Sequence, residues 1–398
     1  MNRSGVGVCI VGSNGAVATT VIAGVELMKK GLVPREGMIT EGGGLNKVVS
    51  DMVPLEDLVF GGWDLRADNA YEAAISHAVV PRALLDQVKD ELTAIRPWPT
   101  VASSKFLHSM GGKNLVQTAN FREELKVLSD QIEAFKKQHN LTRLVMVNLS
   151  STEKFCEIDD VHRSVEAFEA GLDASDSRIS PAMKFLYLAC KLGMSHCNFT
   201  PSRSMVPALR KLSEQSGVPI AGEDGKTGQT LLKTVLAPAF AIRELRVEGW
   251  FSTNILGNND GLVLNDPASN KTKVLSKQSV LDDILGYEVE DHQVHIHYYR
   301  PRGDAKEAWD NIDLVGFLGE RMQLKLDFLC KDSILAAPLV LDLVRLLDLA
   351  HRRGDRGIQK QLSLFFKSPY HVESERPVHD LFKQHDLLQD WAAGAQQG

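Results

Sequence analysis

The residues of this chain best suited to chemistry are lysines set beside glycine- and amide-rich turns. One turn is Gly222-Glu-Asp-Gly-Lys-Thr-Gly-Gln-Thr230, and a second is Asn254-Ile-Leu-Gly-Asn-Asn-Asp-Gly261. Lys273 and Lys277 follow, then Lys306 in Gly303-Asp-Ala-Lys306 and Lys367 in Phe366-Lys-Ser-Pro369. Positioned ammonium groups stabilise charge that develops on oxygen, far more in a dry site than in water. Amide and acid side chains such as Asn258, Asn259 and Asp260 beside them suit hydrogen bonding to hydroxyls or phosphate. Together they fit a phosphorylated, multiply hydroxylated molecule whose oxygens carry negative charge. Each part also has a plain structural reading. Lys273 and Lys277 share a face if Ser276 opens a helix through Asp282 and Asp283, and such pairs are ordinary solvated surface. The run from Gly257 to Gly261 is equally an ordinary turn.

Two tempting motifs fail. Gly225-Lys226-Thr227 imitates a nucleotide-binding P-loop, but that motif needs a glycine where Ile220 stands, and no apolar strand leads straight into the loop. His295 and His297 share one face of a strand, as metal ligands can, yet no third ligand accompanies them and an exposed strand face is expected.

These side chains must be carried by an α/β scaffold. Residues 6–11 form a short, nearly all-apolar run, as in a strand buried on both faces of a parallel sheet. Gly12-Ser-Asn-Gly15 turns into a helix over 16–30 that Gly31 ends. The backbone N–H groups of Gly12, Ser13, Asn14, Gly15, Ala16 and Val17 would there face a dinucleotide pyrophosphate. The strict fingerprint is missing, because Asn14 and Val17 replace two glycines. Further strands are predicted at 58–64, 144–149 and 196–199, and helices at 81–95, 120–138 and 182–192. That alternation implies a doubly wound parallel sheet. Ligands bind at the carboxyl ends of such strands, which marks Asp64, Ser150, Ser151, Thr152, Thr200 and Ser204. Residues 247–251, 294–299 and 322–328 read as strands of a mixed or antiparallel sheet inserted over 231–330. A long helix over 334–350 then returns to the first domain. Residues 392–398 are expected to be disordered.

The whole chain of 398 residues is 43% hydrophobic and 24% charged, enough for two domains. A net charge of −6 argues against non-specific nucleic-acid binding, which needs broad basic patches. Five scattered cysteines without a CxxC pair indicate neither a zinc knuckle nor a disulfide framework, and fit a reducing cytoplasm. No apolar run reaches the roughly 18 residues of a membrane span.

The motifs resemble those of the myo-inositol-1-phosphate synthase family, most closely its shorter prokaryotic form. The matching segments are the N-terminal glycine turn, Phe60-Gly-Gly-Trp-Asp64, Ser151-Thr-Glu153, Asn198-Phe-Thr-Pro201 and the two turns quoted first. Ser276-Lys277, Asp332-Ser-Ile-Leu-Ala-Ala-Pro338 and Phe366-Lys-Ser-Pro369 complete the set. The resemblance implies an α/β fold: a Rossmann-type doubly wound sheet from 1–230 and 334–398 around an inserted α+β catalytic and oligomerisation domain, 231–333. It implies an NAD-dependent isomerase that converts D-glucose 6-phosphate to 1D-myo-inositol 3-phosphate, as a homotetramer. In that reaction C5 is oxidised, C6 loses a proton, C6 attacks C1, and C5 is reduced again. Carried over by position, Lys273 moves the C5 hydroxyl proton, Lys306 and Lys367 stabilise the oxyanions, and Lys277 binds the phosphate. Asn254 and Asp224 position substrate and lysines. Thr227, Asp304, Asp332 and Ser333 fall on family positions near the nicotinamide and the catalytic lysines. Some prokaryotic members use a divalent cation, for which no ligand cluster is visible in this sequence.

The chain departs from the family in places. Longer members carry a glycine-glycine-asparagine-asparagine run where this chain has Ser13, Asn14, Ala16 and Val17, and a polar residue where it has Ile255. Glu41 and Asp64 are the acids placed to hold the adenosine ribose, with Asp64 the better match. Two other activities share the same residues: cyclisation of another sugar phosphate such as a ketose phosphate, and plain NAD-dependent sugar-phosphate dehydrogenation.

Overall fold

A computed structural model of the chain describes residues 5–42, 44–45, 49, 51–107, 111–257, 280–372 and 374–394. In chain order its main elements begin with β1 Val6–Val11, α1 Ala16–Lys29, β2 Leu58–Trp63, α2 Ala70–His77, α3 Phe121–Gln138 and β3 Arg143–Asn148. Next come α4 Val165–Asp173, α5 Pro181–Lys191, β4 Ser195–Asn198, α6 Pro207–Gln215, β5 Pro219–Gly222 and α7 Gln229–Ile242. The chain continues through β6 Arg246–Leu256, β7 Asp291–Tyr298, β8 Ala305–Val315, β9 Arg321–Lys331, α8 Asp332–Arg353, β10 Gly357–Ile358 and α9 Leu381–Ala392. They form two compact units, one of residues 1–224 and 337–360, the other of 225–336 and 361–398.

The first unit is built on a six-stranded sheet of order β10-β5-β4-β3-β1-β2, parallel throughout. Every residue of β1 is buried, so alternation is absent, as a strand covered on both faces requires. Strand order reverses at β1, with β2 on one side and β3, β4 and β5 on the other. The crevice for a ligand lies beyond the carboxyl ends at such a reversal. From Ala337 on, α8 belongs to this unit. Buried Asp342 accepts from Ile39 N, Thr40 N and Thr40 Oγ1 at 2.9, 3.0 and 2.6 Å, and burial pushes its carboxyl up to about 6. Arg345 donates to Glu41 Oε1 at 2.5 Å and to Val53 O at 2.9 Å.

The second unit carries a mixed sheet of order β7-β6-β8-β9, in which β6 and β7 are parallel and the other pairs antiparallel. One face is covered by α7 and by a helix over 280–285. Ala237, Phe240, Trp250, Leu281, Ile312 and Leu314 make its core. Full burial of each such large side chain contributes about 1.5–3 kcal/mol.

Several expectations change in the structure. The helix expected over 81–95 is three short pieces, Arg82–Leu85, a 3₁₀ turn Asp86–Val88, and Lys89–Ala94. Its continuity is lost where Lys30 Nζ takes the carbonyl of Gln87 at 2.7 Å. Asn254, read as part of a turn, lies inside β6, held by ladders to both β7 and β8. Residue 392 ends α9 with 2% exposure rather than beginning a disordered tail. Residues 361–394 group with the second unit, not the first, because Phe366 pairs with Gly225 and Gln384 with Lys226.

Candidate active site

In the first unit, β1 delivers Gly12 to the reversal point of the sheet. Its φ is +85°, and a Cβ there would stand 2.8 Å from Ser150 Cα, so only glycine fits. Gly12 N and Ser13 N donate to Trp63 O at 2.8 and 3.0 Å, tying the turn to the end of β2. Gly15 precedes α1 with no side-chain cap. The first N–H groups of that helix, through Ala16 and Val17, are therefore left for an anion. Ser13 Oγ is buried and has no hydrogen-bond partner among the described residues. A bare helix N-terminus, a glycine permitting close approach and an orphaned hydroxyl together fit a dinucleotide pyrophosphate.

Asn14 and Asp64 turn out to shape this loop. Asn14 N donates to Asp64 Oδ2 at 2.9 Å, and Asn14 Nδ2 donates to Asp68 O at 2.7 Å and Arg66 O at 3.2 Å. Arg66 N donates to Asp64 Oδ1 at 3.0 Å. His77 Nε2 and Arg66 lie 2.7 and 2.6 Å from Asn14 O. Asp64 directly follows β2, the position where an acid meets the ribose in Rossmann sheets. Glu41 does not lie at a strand end; it is paired with Arg345.

Asparagines at matched positions end β3 and β4. Asn148 and Asn198 are register partners, and Asn148 Nδ2 donates to Asn198 Oδ1 at 3.1 Å. Asn148 Oδ1 then accepts from Ser150 N and Oγ at 3.1 and 2.7 Å. Thr200 Oγ1 lies 3.2 Å from Asn198 Oδ1 and accepts from Ser202 N at 3.2 Å. Ser151 is exposed and Thr152 half-buried. Asp224, the last residue of this unit, is buried at φ +63°, and its N–H donates to Thr200 O at 3.2 Å.

In the second unit β8 and the start of α8 draw five expected residues together. Lys306 Nζ lies 3.4 Å from Asp332 Oδ1, and Thr227 Oγ1 donates to the same oxygen at 2.8 Å. Asp304 accepts from Ser333 Oγ at 2.9 Å and Ser333 N at 3.3 Å. Lys367 follows Phe366, whose backbone pairs with Gly225, so it adjoins the segment bearing Thr227. Asn254 faces Ala308 in the ladder, and Lys306, two residues along, points to the same face. Lys273, Lys277, Asn258, Asn259 and Asp260 lie outside the described residues. Among the described residues no group of three or more His, Cys, Asp or Glu is placed to hold a metal ion. No described helix is long and apolar enough to cross a membrane.

Residues 6–393 match the model of an NAD-binding family described as myo-inositol-1-phosphate synthase. The chain belongs to the myo-inositol-1-phosphate synthase family. It is 46% identical over 396 residues to inositol-3-phosphate synthase 1 of Bacteroides thetaiotaomicron, covering 95% of this chain and 92% of that one. Inositol-3-phosphate synthase of Dictyostelium discoideum is 29% identical over 430 aligned positions, 96% of this chain and 84% of that one. The crystal structure of inositol-3-phosphate synthase from Caenorhabditis elegans shares the fold, with a TM-score of 0.92, 23% identity, and coverage of 99% of this chain and 86% of that one.

For a myo-inositol-1-phosphate synthase family chain, not every partner in this arrangement is legible in the sequence. In the sequence Lys226 stands out only as part of the failed P-loop pattern. It is 3% exposed, donates to Gln384 Oε1 at 2.6 Å, and burial pushes its ammonium down to about 7. Asn148, Gln229 and Asp310 were not singled out. A signal for Asn148 is present in the sequence, since it ends an apolar run just before a hydroxyl-rich loop, as Asn198 ends the short strand before Thr200 and Ser202.

Proposed function

We infer that the chain is an inositol-3-phosphate synthase, converting D-glucose 6-phosphate to 1D-myo-inositol 3-phosphate. Family membership over nearly the whole length supports this, and the observation that carries the chemistry is Lys306, Asp332 and Thr227 gathered beside Asn254. The Gly12-to-Val17 turn with Ser13, Asp64, Ser150 and Thr200 would hold NAD, which would supply a reversible hydride sink for C5. Lys273 takes the proton of the C5 hydroxyl and returns it at the end. With C5 a ketone, the C6 proton is acidic, and its removal leaves an enolate whose oxygen Lys306 and Lys367 stabilise. C6 then bonds to C1, and the C1 carbonyl pair becomes an alkoxide that takes up a proton. Lys277, with Asn258, Asn259 and Asp260, holds the phosphate. Asp332 and Thr227 anchor Lys306, and Asp304 with Ser333 shapes the start of α8.

A homotetramer is the assembly we favour. The sheet face opposite α7 carries stacked His295 and His297, with Phe251 and Trp309 at 5.6 Å, and Trp309 is 37% exposed. A cytoplasmic location agrees with five free cysteines. The test is incubation with NAD and glucose 6-phosphate followed by phosphorus and proton NMR. A new cyclitol phosphate without net NADH is expected; unchanged substrate, or NADH accumulating with an acyclic product, overturns the reading.

A further inference from the structure

Under Asn254, in the core of the second unit, lies a carboxylate with no counterpart in the reaction just described. Asp310 is 1% exposed on β8. Its Oδ1 accepts from Trp250 Nε1 at 2.8 Å and Ser252 Oγ at 2.5 Å. Gln229 Nε2, at the first position of α7, lies 3.1 Å from Oδ1 and 3.2 Å from Oδ2. Gln229 Oε1 in turn accepts from Asn254 Nδ2 at 2.6 Å. Asn254 is 1% exposed, and its Oδ1 has no hydrogen-bond partner among the described residues.

An amide has a donor end and an acceptor end of nearly equal shape, so either flip fits a cavity equally well until a neighbour decides. An ionised carboxylate only accepts. It forces Gln229 to turn its NH₂ inward and its oxygen outward, and that oxygen forces Asn254 to do the same. The outcome is an oxygen at the end of the chain, on the sheet face shared with Lys306.

We propose that Asp310 and Gln229 are positioning residues that fix Asn254 as a hydrogen-bond acceptor, so that it takes a proton donor, a hydroxyl of the sugar phosphate. The assignment of the ligand rests on the synthase reading; the relay itself rests on the contacts above. Neither residue touches the reacting atoms.

Asp310→Asn tests the relay with little change of shape. Trp250 and Ser252 keep the oxygen of the new amide at the Oδ1 position and take both of its lone pairs, so Gln229 Nε2 is left facing the NH₂ at the Oδ2 position, 3.2 Å away, donor against donor. Gln229 flips, Asn254 flips after it, and an NH₂ group replaces the acceptor. Loss of one charge-keyed contact predicts a kcat lower by roughly 10- to 100-fold, with KM within about threefold because the phosphate contacts are elsewhere. Thermal stability stays close to wild type, since every flipped amide is again paired. Gln229→Glu alone sets two carboxylates face to face and also loses activity. The double variant Asp310→Asn/Gln229→Glu restores an acceptor-only group above a donor, and kcat recovers to within a few-fold of wild type.

A readout independent of turnover is the side-chain NH₂ of Asn254 in protein labelled with ¹⁵N-asparagine, identified by its loss in Asn254→Asp. It is held by Gln229 Oε1 and slow to exchange in wild type, without that partner and faster to exchange in Asp310→Asn, and slow again in the double variant. Wild-type kcat and unchanged protection in Asp310→Asn, or no recovery in the double variant, overturns the relay. A wild-type protein that leaves glucose 6-phosphate untouched overturns the synthase reading instead, and the exchange data still decide the relay.

Discussion

Gly12→Ala should cost this protein both stability and cofactor affinity, and the structure allows the two causes to be separated. Alanine at φ +85° is strained by about 1–2 kcal/mol. The added Cβ would also sit 2.8 Å from Ser150 Cα, 2.9 Å from Ser150 N and 3.0 Å from Leu149 C. All three are backbone atoms, so no rotamer change relieves the overlap. Moving the turn aside lengthens the bonds from Gly12 N and Ser13 N to Trp63 O, each contributing about 0.5–1.5 kcal/mol. The total is about 2–5 kcal/mol, a fall in Tm of roughly 4–20 °C for a unit of this size. Gly31→Ala provides the strain alone, because φ is +67° and nothing lies within 4 Å of the new Cβ, so about 1–2 kcal/mol is expected. Gly24→Ala, inside α1 with open space around it, should stabilise by about 0.5–1 kcal/mol. Thermal unfolding with and without NAD, together with calorimetric titration of NAD, measures the series. Equal losses in Gly12→Ala and Gly31→Ala, with unchanged NAD affinity, would refute the steric argument and with it the turn's part in holding the cofactor.

Replacing Lys273 or Lys367 by Ala should abolish turnover while NAD binding stays nearly intact; substantial residual synthase activity in either variant would sink that assignment. Glu153→Gln should stabilise the protein in a pH-dependent way. Burial pushes the Glu153 carboxyl up to about 7, so between about pH 4.5 and 7 the unfolded chain gives up a proton that the folded one keeps, and stability falls as pH rises. The variant keeps an oxygen to accept from Ala182 N, which donates to Glu153 Oε1 at 2.9 Å. Its advantage should grow from near zero at pH 4.5 to about 2–3 kcal/mol at pH 8, measured by urea unfolding at both values; a pH-independent difference would contradict the burial argument.

Patterns carried by local residues were legible in the sequence. The apolar runs within β1 and β3 announced a buried parallel sheet, and the helix expected over 120–138 is α3, capped by Asn120, whose side chain accepts from Glu123 N at 2.9 Å. What escaped were features decided by distant partners. Asn254 looks like part of a turn beside Gly257, but cross-strand pairing to Ile296 and Ala308 extends the strand through it. Lys226 is buried by a glutamine 158 positions away. The amphipathic helix α9 was overlooked although Asp380 caps it, accepting from Phe382 N at 2.9 Å. Among the site residues, Thr227, Asp304, Lys306, Asp332 and Ser333 were named through family motifs; residue types alone left the lysines indistinguishable from solvated surface.

Hydroxyls and amides at a ligand site are useful only if their polarity is set, and both units set it with partners of fixed hydrogen-bonding character. Ser150 spends its hydroxyl proton on Asn148 Oδ1, so the oxygen it retains can only accept. Ser13 Oγ has no such partner and keeps its proton for an anion. Asn148 is itself oriented, since its NH₂ meets Asn198 Oδ1 while Asn198 Nδ2 is held by Ser202 O at 2.6 Å, a backbone carbonyl that cannot donate. In the second unit the acceptor-only group at the base is Asp310 rather than a carbonyl. A carboxylate is the stronger choice there, because it lies beneath a sheet face with Lys306 and beside buried Lys233, whose lowered ammonium pKa of about 7 is partly offset by Asp310. The charge that orients Asn254 thus also belongs to the electrostatics of the buried lysine behind it. Removing it would alter amide orientation and lysine protonation together, which is why the charge-conserving Asp310→Asn/Gln229→Glu pair, and not the single substitution, is the decisive variant.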